Sequence, residues 1–153
     1  MLRGQDVWLT IGSDHTDREV EKSSVAESKS VCPKPLARTA LRTTLDELRE
    51  AWDDIEVTCT VDGAAYQSGT LADLLPLPHT LDLLRQDARF TDADPLVILG
   101  GTLPLIGGQF VFGTRWEMTL LHDGERIDLA YTVRTPVPVA SAAHTTSHTK
   151  EDA

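Results

Sequence analysis

Two Asp-Gly pairs, each set between alternating apolar arms, limit what this chain can fold into more than any other feature. "IEVTCTVDGAAYQSG" puts Val57, Cys59 and Val61 on one face and then turns at Asp62-Gly63. "RWEMTLLHDGERIDLAYTV" repeats the device at Asp123-Gly124, with Trp116, Met118 and Leu120 on one arm and Ile127, Leu129, Tyr131 and Val133 on the other. A two-residue type I′ turn needs positive φ at both central positions, which Asp-Gly tolerates, and alternation with period two is the mark of a half-buried strand. Two antiparallel hairpins are therefore expected.

The remaining elements are short. "VWLTI", residues 7–11, reads as a strand. Thr16-Asp17-Arg18-Glu19 fits a capping box, predicting a short helix from about residue 17. "CPKP", residues 32–35, cannot continue a helix or sit in a central strand and marks an extended loop. Thr44-Leu45-Asp46-Glu47 is a second capping box, followed by Leu45, Leu48 and Trp52 on one helical face. Leu71, Leu74 and Leu75 predict a short helix after Thr70, stopped by Pro76 and Pro78, and residues 80–87 another. "PLVILGGTLPLIGG", residues 95–108, reads as a buried strand breaking into a glycine-rich loop. Without regular βαβ alternation, the expected class is mainly β or α+β, antiparallel-dominated: a mixed β-sandwich or β-roll with short helices. One domain over residues 1–134 is expected, with a disordered tail over 135–153, where "PVPVASAAHTTSHTKEDA" offers little to bury.

Composition bears on partners. The chain has 153 residues and a formal net charge of −10, with no Lys/Arg run, which argues against nucleic acid or an anionic membrane surface as the main partner. No apolar stretch approaches the roughly 20 residues that span a bilayer. Cys32 and Cys59 lack zinc or CxxC spacing, so reduced thiols in a cytoplasmic protein are expected, with a disulfide or a reactive thiol as the alternative.

The densest chemistry lies in "GSDHTDREVE", residues 12–21. Asp14, just past a strand, could serve a hard cation, but the simpler reading is that Asp14 or Thr16 caps a helix. Arg18 and Lys29 could hold a carboxylate or be solvated, and Asp14 and Arg18 could simply pair at i, i+4. His15 is more simply structural than a base. Glu19 and Glu21 would converge on a metal from a strand, but on a helix they diverge by about 200° and are rejected as a pair. "LGGTLPLIGG" carries no phosphate-loop fingerprint. Its glycines allow a backbone to approach a ligand, and Thr102 offers a hydroxyl, though a plain tight turn explains the same residues.

Taken in order, "GSDHTDREVE", "SKSVCPKP", "VDGAAYQSGTLADLL" and "PLVILGGTLPLIGG" resemble four blocks of the fumarylacetoacetate hydrolase superfamily. They look closer still to an uncharacterised bacterial family related to it. The resemblance covers roughly residues 7–134. It implies Asp14 as a ligand to Mg²⁺ or another divalent cation, and Arg18 as a substrate-holding arginine. It implies Lys29 as a catalytic lysine beside the metal and the substrate's oxygens, and Gly101 with Thr102 as a carboxylate site. It further implies a homodimer and a metal-dependent hydrolase or lyase acting on 2-keto acids or 1,3-dicarbonyls.

One departure shapes the expectation. The superfamily draws two more metal ligands from an upstream E-x-E, whereas the 13 residues before Asp14 contain no glutamate. The expectation is therefore a truncated reading frame, incomplete and inactive as this chain. The alternative is a non-catalytic module of the same fold that binds a small carboxylate or serves a structural role.

Overall fold

The computed structural model describes residues 1–87, 90 and 95–134, so the expected tail over 135–153 lies outside the described residues. Within them the chain is mixed α+β, built on two antiparallel sheets with a few short helices. The first sheet has three strands in the order β1 (Leu2–Arg3), β2 (Asp6–Leu9) and β3 (Leu41–Thr44). The second has four, in the order β5 (Ala64–Thr70), β4 (Glu56–Val61), β6 (Arg115–His122) and β7 (Glu125–Thr132). The helices are α1 (Arg18–Glu21), α2 (Val25–Ser30), α3 (Leu45–Ala51) and α4 (Leu77–Arg85), with 3₁₀ turns at Trp52–Asp54 and Leu71–Asp73.

Both hairpins form at the expected pairs. Asp62 and Gly63 have φ of 50° and 83°, and Asp123 and Gly124 have φ of 47° and 77°, the positive values a type I′ turn demands. The register then lines up the apolar positions. Met118 sits opposite Leu129 on one side and Cys59 on the other, and Leu120 sits between Ile127 and Val57. These rows share one face and form the centre of a core that also takes in Val7, Ile11, Leu48 and Ile55. Leu120 and Ile127 are each 2% exposed. Burial on that scale stabilises by about 1.5–3 kcal/mol per side chain.

The Asp62 turn also organises the strand that follows far along the chain. Its carboxylate accepts from the backbone N–H groups of Thr114 (3.1 Å) and Arg115 (2.7 Å), at the start of β6. A Cβ at Gly113 would fall 2.2 Å from Val61 Cγ1, so only glycine lets the chain pass here.

Three local expectations need correction. Asp17, not Thr16, caps α1: its carboxylate accepts from Glu19 and Val20 N–H at 2.9 and 3.0 Å. The Thr16 hydroxyl turns back to the Asp14 carbonyl at 3.2 Å, which takes it out of the capping position. Pro76 and Pro78 do not stop a helix but open α4, Pro76 as its N-cap and Pro78 in its first turn. Proline suits a helix start because the N–H groups there have no intrahelical acceptor. Residues 95–101 are not a buried strand. Leu96 makes an isolated bridge to Leu2, while Val97 and Leu99 are 64% and 45% exposed. Their apolar character serves a cavity wall rather than a sheet.

The second capping box forms in full. Thr44 accepts from Glu47 N–H at 3.2 Å, and the Glu47 carboxylate returns to Thr44 N–H at 2.9 Å. Cys32 and Cys59 are both free thiols. Among the described residues no helix is long and apolar enough to cross a membrane.

Candidate functional site

The site begins with a close approach of two loops. Past β2 the chain runs alongside residues 35–37: Ser13 N–H donates to Pro35 O and Ala37 N–H to Ile11 O, each at 3.0 Å. A Cβ at Gly12 would lie 2.4 Å from Leu36 Cδ2 and 3.3 Å from Pro35 O, so glycine lets the loops meet without moving the Leu36 side chain. Asp14 is thereby set opposite the end of α2, which carries Lys29, and the loop after it, which carries Lys34.

Both lysines turn to it. Lys29 Nζ hydrogen-bonds Asp14 Oδ2, and Lys34 Nζ stands 3.4 Å from Oδ1. Burial alone would raise the Asp14 pKa, but the two ammonium groups more than offset it and hold the carboxyl below its ordinary value. Lys34 does more than pair. Its ammonium donates to the carbonyls of His15 (2.6 Å), Cys32 (3.1 Å) and Lys29, tying the 14–15 backbone to the end of α2 and the loop after it.

His15 rests on an aromatic cluster drawn from three strands of the second sheet. Its Nε2 is 2.7 Å from the Tyr131 hydroxyl. Its ring meets Trp116 and Tyr131 edge-on, with centroids 5.1 and 5.4 Å away, and Tyr66 closes on Trp116 at 5.5 Å. Burial and the charge of Lys34 lower the His15 pKa against the opposing pull of Asp14, which favours the neutral imidazole. Burial raises the Tyr131 phenol to about 12, despite a hydrogen bond with the Ser13 side chain that acts the other way.

Arg18 leaves α1 toward the other glycine-rich segment. Its guanidinium pairs with Glu21 at 2.6 Å and lies 3.9 Å above the Phe110 ring. That segment is held by β5: Gln67 Nε2 donates to Leu103 O at 2.7 Å, and Ile106 N–H donates to Tyr66 O at 2.9 Å. Gly101, at φ +130°, adopts a backbone that side-chain-bearing residues rarely take.

These segments wall one cavity of about 610 Å³, lined by Asp14, His15, Arg18, Gly101, Thr102 and Phe110 among a larger number of apolar side chains. Four of the five residues singled out from sequence thus share a cavity: Asp14, Arg18, Gly101 and Thr102. Lys29 is not in that wall; it reaches the site through Asp14. Asp14 and Arg18 do not take up the i, i+4 pairing open to them: Asp14 faces two lysines and Arg18 pairs with Glu21. Sequence reasoning missed Lys34, Tyr131, Trp116 and Phe110. Of these only Lys34 carried a local signal, as the cation locked between two prolines in "CPKP".

The divalent cation implied by the resemblance does not suit the residues present. No group of three or more His, Cys, Asp or Glu side chains converges among the described residues. The one carboxylate at the expected position already has both oxygens beside ammonium groups. Mg²⁺ keeps its water unless several oxygens replace it, and a carboxylate neutralised by lysines is a poor start. Glu19 and Glu21 lie on α1 and are engaged with Lys22 and Arg18.

No curated protein and no solved structure matches the chain. A family model does, across residues 1–131: the chain belongs to the family described as protein of unknown function DUF2848.

Proposed function

We propose that this chain binds a small organic carboxylate in the cavity, with Arg18 and Thr102 at the headgroup. What carries the reading is the sharing of one wall by residues far apart in sequence. Asp14, His15 and Arg18 come from the first sheet's side of the chain and Gly101 and Thr102 from a loop far downstream, within an otherwise mainly apolar enclosure. Few polar groups in an apolar cavity of this size is the ordinary form of a small-molecule site. The overall charge of −10 does not decide against an anion here, because Lys29 and Lys34 neutralise Asp14, the carboxylate in the wall, and Arg18 is the wall's guanidinium.

The resemblance extends this to hydrolase or lyase chemistry on 2-keto acids or 1,3-dicarbonyls, with Lys29 acting from beside Asp14. The donor set supports carboxylate binding better than a metal-dependent reaction, so no step is routed through a metal.

Calorimetric titration with pyruvate, oxaloacetate and phenylpyruvate, in Mg²⁺ and in EDTA, tests the reading. Binding is expected in both, and Arg18→Met should weaken it about tenfold through loss of a charge-assisted contact. A strict requirement for Mg²⁺ would restore the metal-dependent reading. Absence of binding by every carboxylate would overturn the proposal.

A further inference from the structure

We infer that the ligand is an amphipathic carboxylic acid, with an apolar body much longer than that of pyruvate or oxaloacetate. This rests on the carboxylate reading of the same cavity and names the molecule's other end. The cavity, at about 610 Å³, is far larger than a three- or four-carbon keto acid fills. Beyond the polar residues of the 12–18 and 100–102 segments, its wall is dominated by apolar side chains such as Leu48, Val57, Leu71, Leu74, Met118 and Leu120, with Thr10, Thr58, Tyr66 and Gln67 interspersed. None of these carries a charge, and the Gln67 amide is already engaged with Leu103 O, so this part of the wall offers no partner for a second ionised group.

The rim points the same way. Val97, Leu99 and Phe110 line the cavity and are each largely exposed, so the fold leaves apolar surface facing it unburied. Covering such surface is favourable in proportion to its area. An acyl chain or an aryl group would cover it, while its carboxylate stayed within the part of the wall that carries Arg18 and Thr102. The lining of hairpin side chains suits a flexible or flat body rather than a branched polar one such as a sugar acid.

The chain carries three tryptophans, Trp8, Trp52 and Trp116, and all three line this cavity. Ligand entry is therefore readable in the intrinsic fluorescence of the unmodified protein. The test is a series of straight-chain carboxylates from acetate to dodecanoate, kept below their micelle-forming concentrations, beside the matching primary alcohols. Affinity should rise about three- to fourfold per methylene until the cavity is full and then level off. The alcohols should bind at least about tenfold more weakly than the acids.

Leu74→Trp, which narrows the cavity, should move the plateau to shorter chains, as read by calorimetry. Should that variant fail to fold, the chain-length series on the natural protein decides alone. Carboxylates that all bind alike, whatever their length, would overturn the inference and leave the carboxylate reading standing. Alcohols that bind as well as acids would overturn the carboxylate class itself.

Discussion

His15 and Tyr131 lie 116 residues apart in the chain, and their polar atoms meet at 2.7 Å. The contact joins the loop after β2 to the last strand, and it fixes which way the imidazole faces in the cavity wall. Tyr131→Phe removes the hydroxyl while keeping the ring. Stability should fall by about 1 kcal/mol, the usual net value of one hydrogen bond. The sharper readout is the His15 ring itself: its nitrogen chemical shifts should move, because the hydroxyl hydrogen-bonded to Nε2 is gone. Unchanged shifts would show that the hydroxyl does not orient the ring.

The lowered pKa of His15 gives a pH dependence with a definite sign. The folded protein holds this imidazole neutral, through burial and the charge of Lys34, opposed by Asp14, while Tyr131 faces its Nε2. The unfolded chain takes up a proton near the ordinary value of 6.5. Between that value and the lower folded one, the unfolded state binds more protons, so stability falls as pH falls. Replacing His15 by Gln should remove this part of the acid sensitivity. Urea unfolding at pH 7.5 and pH 5.5, compared for the two proteins, measures it; an equal loss in both would exclude His15 as the source.

Lys34 and Lys29 both face Asp14, yet their loss should differ. Lys29 is the more exposed of the two and makes a single ion pair, so Lys29→Met is expected to cost no more than about 1 kcal/mol. Lys34 satisfies three backbone carbonyls as well as facing the carboxylate. Lys34→Met leaves those acceptors without their donor and should cost about 2 kcal/mol. Chemical denaturation ranks the two variants, and a larger loss at Lys29 would contradict the bracing role assigned to Lys34.

The contrast between hairpins and cavity shows what a sequence discloses. Asp62-Gly63 and Asp123-Gly124 were legible because a local backbone requirement selects the residues, and alternation names the buried face. Asp14, Arg18, Gly101 and Thr102 stood out as residue types near glycines, and resemblance gave them roles, but no spacing showed that they share a wall. Tyr131 looked like any strand aromatic, since the partner that gives it meaning sits 116 positions away. Residues 95–101 misled for a related reason: an apolar run reads as a strand whether it packs in a sheet or lines a cavity. The Thr16 cap failed by one residue, because two adjacent side chains could both cap and only geometry selects Asp17.

Glu21 should act as a brake on anion binding. It takes up Arg18 at 2.6 Å, and a ligand carboxylate at the guanidinium must compete with it. Glu21→Gln keeps the shape and weakens the pull. Affinity for a carboxylate that binds the natural protein should rise about two- to fivefold, in line with the modest worth of a partly exposed ion pair. The cation–aromatic contact of Arg18 with Phe110 should hold the guanidinium in place meanwhile. Titration calorimetry of both proteins checks this, and a weaker affinity in Glu21→Gln would mean that the glutamate positions Arg18 for the ligand.

Asp62 offers the last test, because it has two separable duties in one hairpin. Its φ of 50° calls for a residue that tolerates left-handed backbone, and its carboxylate holds the Thr114 and Arg115 amides. Those amides keep its pKa below the ordinary carboxylate value. A depressed folded pKa means that the contribution to stability is present above the unfolded value of 3.8 and is lost as pH falls from there through the folded value. Asp62→Asn keeps the turn and an acceptor oxygen but loses the charge, so its Tm should drop slightly at pH 7 and converge with that of the natural protein in acid. Asp62→Ala loses both the backbone tolerance and the acceptor, and its Tm should be the lowest of the three at every pH. Thermal melts at pH 7 and pH 3 separate the duties: if alanine and asparagine behaved alike, the turn would owe nothing to the side chain's reach across to β6.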